Sequence, residues 1–458
     1  MRRLWFGVAC GAWLSCFGTA AAHEGEHHDH APQFSAQEQF QPTPLPDRVV
    51  LTWSGDPRST MDVTWRTDPT VGSAVAEIIK AAEVVGNLKD GNVPDAKRVE
   101  GTTQDFKSDL GECHVHSIRF DDLEPSTMYA YRVGDGGQNW SEWFQFRTAA
   151  DKNEPFTFVY FGDAQNAVRS LWSRVVREAN QHAPRAAFML HAGDLINNDD
   201  SDGEWGEWFG APGWLNGMIP VVATPGNHEY NDDYGLSKHW VPQFAFPLNG
   251  PSGLEETVYW FDYQGARIIS LNSNERIDEQ CGWLKSVLAD PKRPKWAIAT
   301  FHHPVYSASK DRDNPNIRAA WQPILEEHGV DLVLQGHDHS YARTGLGSPN
   351  EMGAPQDSNV AAGVRAKSSN TVYVVSVSGP KMYYLQGRWQ FRREASGVQL
   401  FQVIRVAPEL IRYEARLATG ELYDAFTLAK DEHGQSKLTE EIPDEQELRL
   451  MSPEDDDD

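Results

Sequence analysis

The chain has 458 residues, more than one ordinary domain holds, and 16 Trp among its 40% hydrophobic residues supply large core side chains. Its 66 acidic residues against 41 basic give a formal net charge of −25, which argues against nucleic acid or an anionic membrane surface as a partner. Part of that charge is local, in the closing run Pro453-Glu454-Asp455-Asp456-Asp457-Asp458.

Arg2 and Arg3 precede an apolar run from Leu4 to Phe17, and Ala20-Ala21-Ala22 fits the small-residue cleavage pattern. Residues 1–22 therefore read as a signal peptide cleaved near Ala22, which predicts export to the periplasm or beyond. The run is short for a spanning helix, so no stable membrane anchor is expected. Cys10 and Cys16 leave with this segment. Cys113 and Cys281 remain, and an oxidising compartment permits their pairing without establishing it. Residues 23–46 form a linker, first His-rich (His23 to His30), then rich in Pro and Gln.

From Val49 the pattern alternates with period two, as in Val49, Leu51, Trp53 and then Met61, Val63, Trp65. Val115–Phe120, Met128–Val133 and Trp143–Arg147 continue it, which predicts an all-β sandwich over 47–149. His114 and His116 are expected on its surface. From Phe156 short apolar runs alternate with helical patterns. Phe156–Phe161, Ala186–His191, Ile219–Ala223, Trp296–Phe301 and Val330–Leu334 read as strands, and Trp260–Leu271 as a hairpin turning at Gln264-Gly265. Val168, Leu171, Trp172, Val175 and Val176 share one helical face. Ile317, Trp321, Ile324 and Leu325 share another, stopped at Gly329. An α/β domain is expected over 152–430, with late strands at Val372–Val377, Leu400–Val406 and Leu410–Arg416 and a surface insertion at 345–367. Residues 431–458 are expected to be an acidic, disordered tail.

Five segments join these strands to chemistry: Phe161-Gly162-Asp163, Ala192-Gly193-Asp194, Gly226-Asn227-His228-Glu229, Phe301-His302-His303-Pro304 and Gly336-His337-Asp338-His339. Each follows an apolar run, and ligands in open α/β sheets bind beyond the carboxyl ends of the strands. Carboxylate, amide oxygen and imidazole without thiolate suit Zn, Mn or Fe(II). A shared carboxylate between two ions roughly 3.5–4 Å apart suits in-line displacement at phosphorus.

In this order the segments resemble the calcineurin-like metallophosphoesterase signature GD…GD…GNH[DE]…H…GHxH. Val49-Val50-Leu51-Thr52-Trp53, Met61 to Thr67, Leu123 to Gly134 and Phe144 to Thr148 resemble the fibronectin-III-like N-terminal domain of purple acid phosphatases. The resemblance implies a four-layer αββα sandwich behind that β-sandwich. It also implies two divalent metal ions (Zn, Mn or Fe) and hydrolysis of a small phosphorylated substrate by attack of a metal-bound hydroxide. Phosphomonoesterase activity is expected first. Phosphodiesterase or nucleotidase activity on the same site is the alternative, followed by a non-catalytic binding protein with a vestigial site. By the resemblance Asp163 and His339 hold the first metal, Asp194 bridges, and Asn227, His302 and His337 hold the second. His228 contacts phosphate and protonates the leaving oxygen. Glu229 and Asp338 are candidates to orient imidazoles, and His303 and Arg343 to touch substrate. The chain departs from the family at two places. The iron-binding tyrosine of purple acid phosphatases is replaced by Asn197, and the histidine other members carry after the first aspartate is Gln165. Gln165, Asn166 and Asn197 are therefore candidate neutral ligands at a weakened first position. Lys310, Arg312 and Arg318 read as solvated loop charges, and the Trp205–Trp214 stretch as packing.

Overall fold

A computed structural model describes residues 34–450 apart from 88, 90, 91, 232, 234, 347–369, 388–390 and 445–446. The signal segment, the histidine stretch 23–30, the insertion from 347 on and the terminal acidic run lie outside the described residues.

Eight strands come first: β1 (Asp47–Thr52), β2 (Met61–Thr67), β3 (Val75–Lys80), β4 (Lys97–Glu100), β5 (Thr102–Ser108), β6 (Gly111–Phe120), β7 (Met128–Gly134) and β8 (Phe144–Arg147). They form two antiparallel four-stranded sheets, β1-β2-β6-β5 and β4-β3-β7-β8. The inward residues Leu51, Met61, Val63, Ile118, Tyr131 and Phe146 pack between them, as period-two alternation requires. His116 belongs to this inner face with Ile118 and Phe120. It is fully buried, stacks on Trp65 at 5.1 Å and lies 2.7 Å from Thr67 Oγ1, so its expected surface position is corrected.

The second part is built from β9 (Phe156–Phe161), β10 (Met189–His191), β11 (Val221–Ala223), a small hairpin β12 (Tyr230–Asn231) and β13 (Gly235–Leu236), β14 (Tyr259–Tyr263), β15 (Ala266–Ser270), β16 (Trp296–Thr300), β17 (Leu332–Gln335), β18 (Tyr341–Thr344), β19 (Val372–Val375), β20 (Phe391–Ala395), β21 (Leu400–Val406), β22 (Leu410–Leu417), β23 (Leu422–Lys430) and β24 (Ser436–Glu440). Two seven-stranded sheets result, β11-β10-β9-β21-β22-β23-β24 and β14-β15-β16-β17-β19-β18-β20. Alternate residues divide the second sheet's faces. Trp296, Ile298, Leu332, Leu334, Val372 and Val374 pack toward the first sheet. Ala297, Ala299, Val333 and Tyr373 instead pack toward α5 (Ile277–Leu288) and α6 (Pro315–Glu327). On the far side α2 (Ser173–His182) covers the first sheet, giving the four layers.

The Trp260–Leu271 hairpin turns where expected, with Gln264 and Gly265 both in the left-handed region (φ 41° and 98°). Leu171 leaves the expected helical face and is 39% exposed. Val168–Trp172 forms a π-turn before α2, and its wider turn rotates the face. Two boundaries are corrected. Ala36–Phe40 in the expected linker is a helix capped by Ser35 and Glu38. The expected tail from 431 contains β24, which pairs with β23.

The two parts share one continuous core. Trp53 packs on Phe188, Phe261 and Tyr263 across the junction, and Arg48 and Arg66 both reach buried Asp202 at 2.7 and 3.1 Å. Cys113 in β6 and Cys281 in α5 are both free thiols, so they do not pair.

Candidate metal centre

The ends of β9, β10, β16 and β17 and the loop after β11 converge on one point. β9, β10 and β11 run parallel, as do β15, β16, β17 and β19, so the loops beyond their carboxyl ends meet. Two of the residues brought there have left-handed backbones, Asp194 (φ 52°) and His337 (φ 71°), a strain that sharp turns carrying functional groups store. The glycines beside them permit close approach. A Cβ on Gly226 would lie 2.1 Å from Asp194 Oδ1, and one on Gly336 2.3 Å from Asp163 Oδ1.

Each aspartate divides its oxygens between backbone and centre. Asp163 Oδ1 accepts from His337 N at 2.7 Å, and Asp194 Oδ1 from His228 N at 3.0 Å. The Oδ2 atoms face inward. Asp163, Asp194 and His339 offer ligand atoms within 4.8 Å of one another, and so do Asp194, His302 and His337. In the second group His302 Nε2 lies 3.2 Å from Asp194 Oδ2, 3.1 Å from Asn227 Oδ1 and 3.1 Å from His337 Nδ1. In the first group His339 Nε2 lies 3.4 Å from Asp163 Oδ2.

Backbone carbonyls set the tautomers. His302 Nδ1 donates to Ala192 O (2.8 Å), His339 Nδ1 to Lys381 O (2.9 Å) and His228 Nδ1 to Asn197 O (2.6 Å). The opposite nitrogens of His302 and His339 thereby face the centre, where a bound cation would take their lone pairs, displacing the proton from His302. His228 Nε2 stands 4.0 Å from Asp194 Oδ2. Asp163, Asp194, His302 and His339 form a buried floor, while Asn227, His228, His303 and His337 open to solvent.

The electrostatics are those of a cluster short of cations. Burial lifts the Asp163 carboxyl well above its ordinary range, with His302 pulling it down and Asp194 pushing it further up. Burial also opposes ionisation of Asp194, but the charge and hydrogen bond of His302 outweigh it and hold this carboxyl well below the usual range. His302 is disfavoured as a cation by burial, yet Asp194 and Asp163 push it up to about 9. His339 is lowered to about 3 by burial and the Lys381 ammonium, and His303 to about 3 by burial and His302. His337 is lowered by burial and by His302. Asp163 Oδ2 is a buried oxygen with no hydrogen-bond partner among the described residues, and the imidazoles of His337 and His339 are neutral near pH 7. This donor set fits divalent cations.

Some expected roles are corrected. Glu229 orients no imidazole. Its carboxylate accepts from the backbone N–H of Asp194, Leu195 and Gly226 at 2.9, 2.7 and 2.6 Å, clamping the turn that carries Asp194. Burial, then Asp194, pushes it up to about 7. Asp338 holds Arg312 Nε at 2.7 Å, so Arg312 is no solvated loop charge. Arg318 is likewise tied, to Asp313 at 2.6 Å and Val305 O at 3.0 Å. Arg343 is fully buried and does not reach the cleft, since Asp424 grips it through Nε (2.6 Å) and Nη2 (3.1 Å). Asn166 Nδ2 donates to Asn197 Oδ1 at 3.2 Å. Of the three candidate neutral ligands Gln165 touches the centre, donating from Nε2 to Asp194 Oδ2 at 2.7 Å, and Asn166 Oδ1 is buried without a hydrogen-bond partner among the described residues. His303 lies at the mouth, its ring 4.1 Å from that of His337. Glu204 holds the loop after Asp194 by accepting from Asn197 N, and Trp205 and Trp208 are core.

Sequence reasoning missed the segment 378–386. Its Ser378 and Gly379 N–H groups donate to Asp163 O at 3.1 and 2.6 Å, and Tyr383 N donates to His339 O at 3.0 Å.

Comparison with known proteins agrees with this architecture. Residues 46–148 match the purple acid phosphatase N-terminal domain, and residues 120–341 match the calcineurin-like phosphoesterases. Human acid phosphatase type 7 is 29% identical over 338 residues, 66% of this chain and 71% of that protein. Purple acid phosphatase 18 of Arabidopsis thaliana is 26% identical over 312 residues, 66% of each chain, so this chain spans about two thirds of that relative's length. A purple acid phosphatase from yellow lupin (Lupinus luteus) seeds shares the fold with a TM-score of 0.68 at 19% identity, covering 85% of this chain and 75% of that one. The chain belongs to the calcineurin-like phosphoesterases, in the branch with a purple acid phosphatase N-terminal domain, a family of metal-dependent phosphate-ester hydrolases.

Proposed function

We propose that this protein is an exported phosphomonoesterase that uses two divalent metal ions. The observation that carries the reading is the pair of ligand groups sharing Asp194. Asp163, Asp194 and His339 would hold one ion, and Asp194, Asn227, His302 and His337 the other. Bound there, divalent ions supply charge neutralisation at phosphorus and a water acidic enough to ionise near neutral pH.

The protein's own groups do the rest. Asp194 fixes the spacing of the two positions, and Glu229 holds the Asp194 turn. His228, oriented by its Nδ1 bond to Asn197 O, presents Nε2 at the mouth, where it can protonate a leaving alkoxide. His303 is held by Ser273 at 2.8 Å and lines the same opening. Export rests on the Arg2–Ala22 segment. No helix among the described residues is long and apolar enough to cross a membrane.

The test is hydrolysis of 4-nitrophenyl phosphate beside bis(4-nitrophenyl) phosphate, after chelation and re-addition of Zn, Mn or Fe(II). Faster turnover of the diester would replace the monoesterase reading by the diesterase one. Metal content well below one ion per chain with no turnover of either ester would support a binding protein instead.

A further inference from the structure

The segment missed by the sequence reading brings a cation to the centre. Residues 378–386 cross the first metal position as a strap tied at several points. Ser378 and Gly379 bind Asp163 O, Tyr383 N binds His339 O, and Gln386 N binds Ala308 O at 2.8 Å. The approach is close, since a Cβ on Gly379 would lie 2.6 Å from Gln165 O. Lys381 sits in the middle of the strap. Its carbonyl accepts the His339 ring N–H, and its Nζ lies 3.4 Å from Gln165 Oε1. Gln165 Nε2 in turn touches Asp194 Oδ2 at 2.7 Å. The ammonium is therefore one amide group away from the shared carboxylate.

Among the described residues this cation has no anionic partner. Lys381 is half-buried and forms no ion pair among the described residues. Its neighbour across Tyr383 differs: Arg312 lies 5.0 Å from that ring centroid but is committed to Asp338 at 2.7 Å. Among the described residues this half-buried ammonium meets a neutral amide at 3.4 Å and the Tyr383 ring at 5.7 Å, which leaves its charge uncompensated for an incoming anion.

We propose that Lys381 binds a non-bridging oxygen of the substrate phosphoryl group and selects monoesters over diesters. A phosphate monoester carries two negative charges near neutral pH and keeps an unesterified oxygen for the ammonium. A diester carries one charge, and its second ester group occupies that place. The inference deepens the phosphomonoesterase reading and rests on it.

The test compares Lys381→Gln and Lys381→Arg with the parent, all metal-loaded. Losing one charge-assisted contact should weaken 4-nitrophenyl phosphate through KM and reduce kcat/KM roughly 10- to 100-fold. Bis(4-nitrophenyl) phosphate should change by less than about threefold, and Lys381→Arg should recover most of the monoester loss. Binding of inorganic phosphate, measured by calorimetry without turnover, should weaken by the same factor in Lys381→Gln. Equal losses on both esters, or unchanged phosphate binding, overturn the proposal. If the parent hydrolyses neither ester, the hydrolase reading fails, while the phosphate-binding comparison still decides the role of Lys381.

Discussion

Replacing Asp424 by Ala tests whether Arg343 serves the fold or the substrate. Arg343 in β18 and Asp424 in β23 face each other between the two sheets, both fully buried. Asp424 Oδ2 also accepts from Tyr341 at 2.7 Å, and Glu440 takes Arg343 Nη1 at 3.0 Å from the sheet edge. Removing Asp424 leaves a guanidinium in the interior with only the partly exposed Glu440 and a carbonyl, and leaves the Tyr341 hydroxyl without its carboxylate. Breaking a buried pair this way costs about 3–5 kcal/mol. In a chain of this size, with an unfolding entropy of about 1 kcal/mol/K, that lowers the melting temperature by roughly 3–5 °C. Arg343→Met combined with Asp424→Leu should recover part of the loss, because no uncompensated charge remains. Thermal and urea unfolding measure the stability, and 4-nitrophenyl phosphate kinetics at 20 °C measure the site. KM should stay within about twofold for Asp424→Ala. A variant as stable as the parent, with KM raised tenfold, would refute the assignment and return Arg343 to the substrate.

Metal titration of chelated protein should show two events of unequal strength, because only the second position has its full donor set. Asp163→Asn should abolish the weaker event and spare the tighter one, read by calorimetry. Gln165→His should strengthen the weaker event by placing an imidazole beside Asp194. Stability should also depend on pH through His191, which lies among Phe161, Trp172 and Trp208 with neither ring nitrogen bonded among the described residues. Burial lowers it to about 3, below the ordinary histidine value, so the unfolded chain binds more protons between about pH 6.5 and 3 and stability falls as pH drops through that window. At pH 5 the loss is about 2 kcal/mol, and His191→Phe should remove it while leaving pH 8 stability equal or higher. A parallel fall in both proteins on acid titration, followed by circular dichroism, would assign the effect elsewhere.

The metal-ligand candidates were legible because each sits directly after a strand, where local pattern and function coincide. What surrounds them was not, and for separable reasons. Arg343 ends the run from Gly336 that resembles the purple acid phosphatase branch, and that resemblance points it toward the site. Yet in a strand it shares a face with Tyr341, and that face meets Asp424 of the other sheet. His116 alternates with Ile118 and Phe120, a register that puts it on the inner face, while its polar side chain alone points to the surface. β24 is an edge strand buried only in part, so its sequence carries little apolar signal. The strap at 378–386 has no motif at all. Its ties to Asp163 O and His339 O run through the backbone N–H groups of Ser378, Gly379 and Tyr383, donors that nearly every residue possesses.

The asymmetry between the two positions follows from where the donors point. At the second position Asp194 Oδ2, Asn227 Oδ1 and His337 Nδ1 all lie within 3.2 Å of His302 Nε2, so acceptors already crowd one point and a cation relieves them. At the first position Asp163 Oδ2 and His339 Nε2 wait, but Gln165 presents an N–H to the shared carboxylate oxygen, a donor where a cation needs an acceptor. A cation entering there competes with that hydrogen bond for Asp194 Oδ2. Turning the amide over presents Oε1 to the cation instead, and the same turn gives up the 3.4 Å contact with Lys381. A cation held at the first position through Gln165 Oε1 would thus also release the amide from the ammonium. On the proposed assignment a neutral amide, Gln165, stands between the first position and the Lys381 ammonium, where other members of the family carry a stronger ligand nearby.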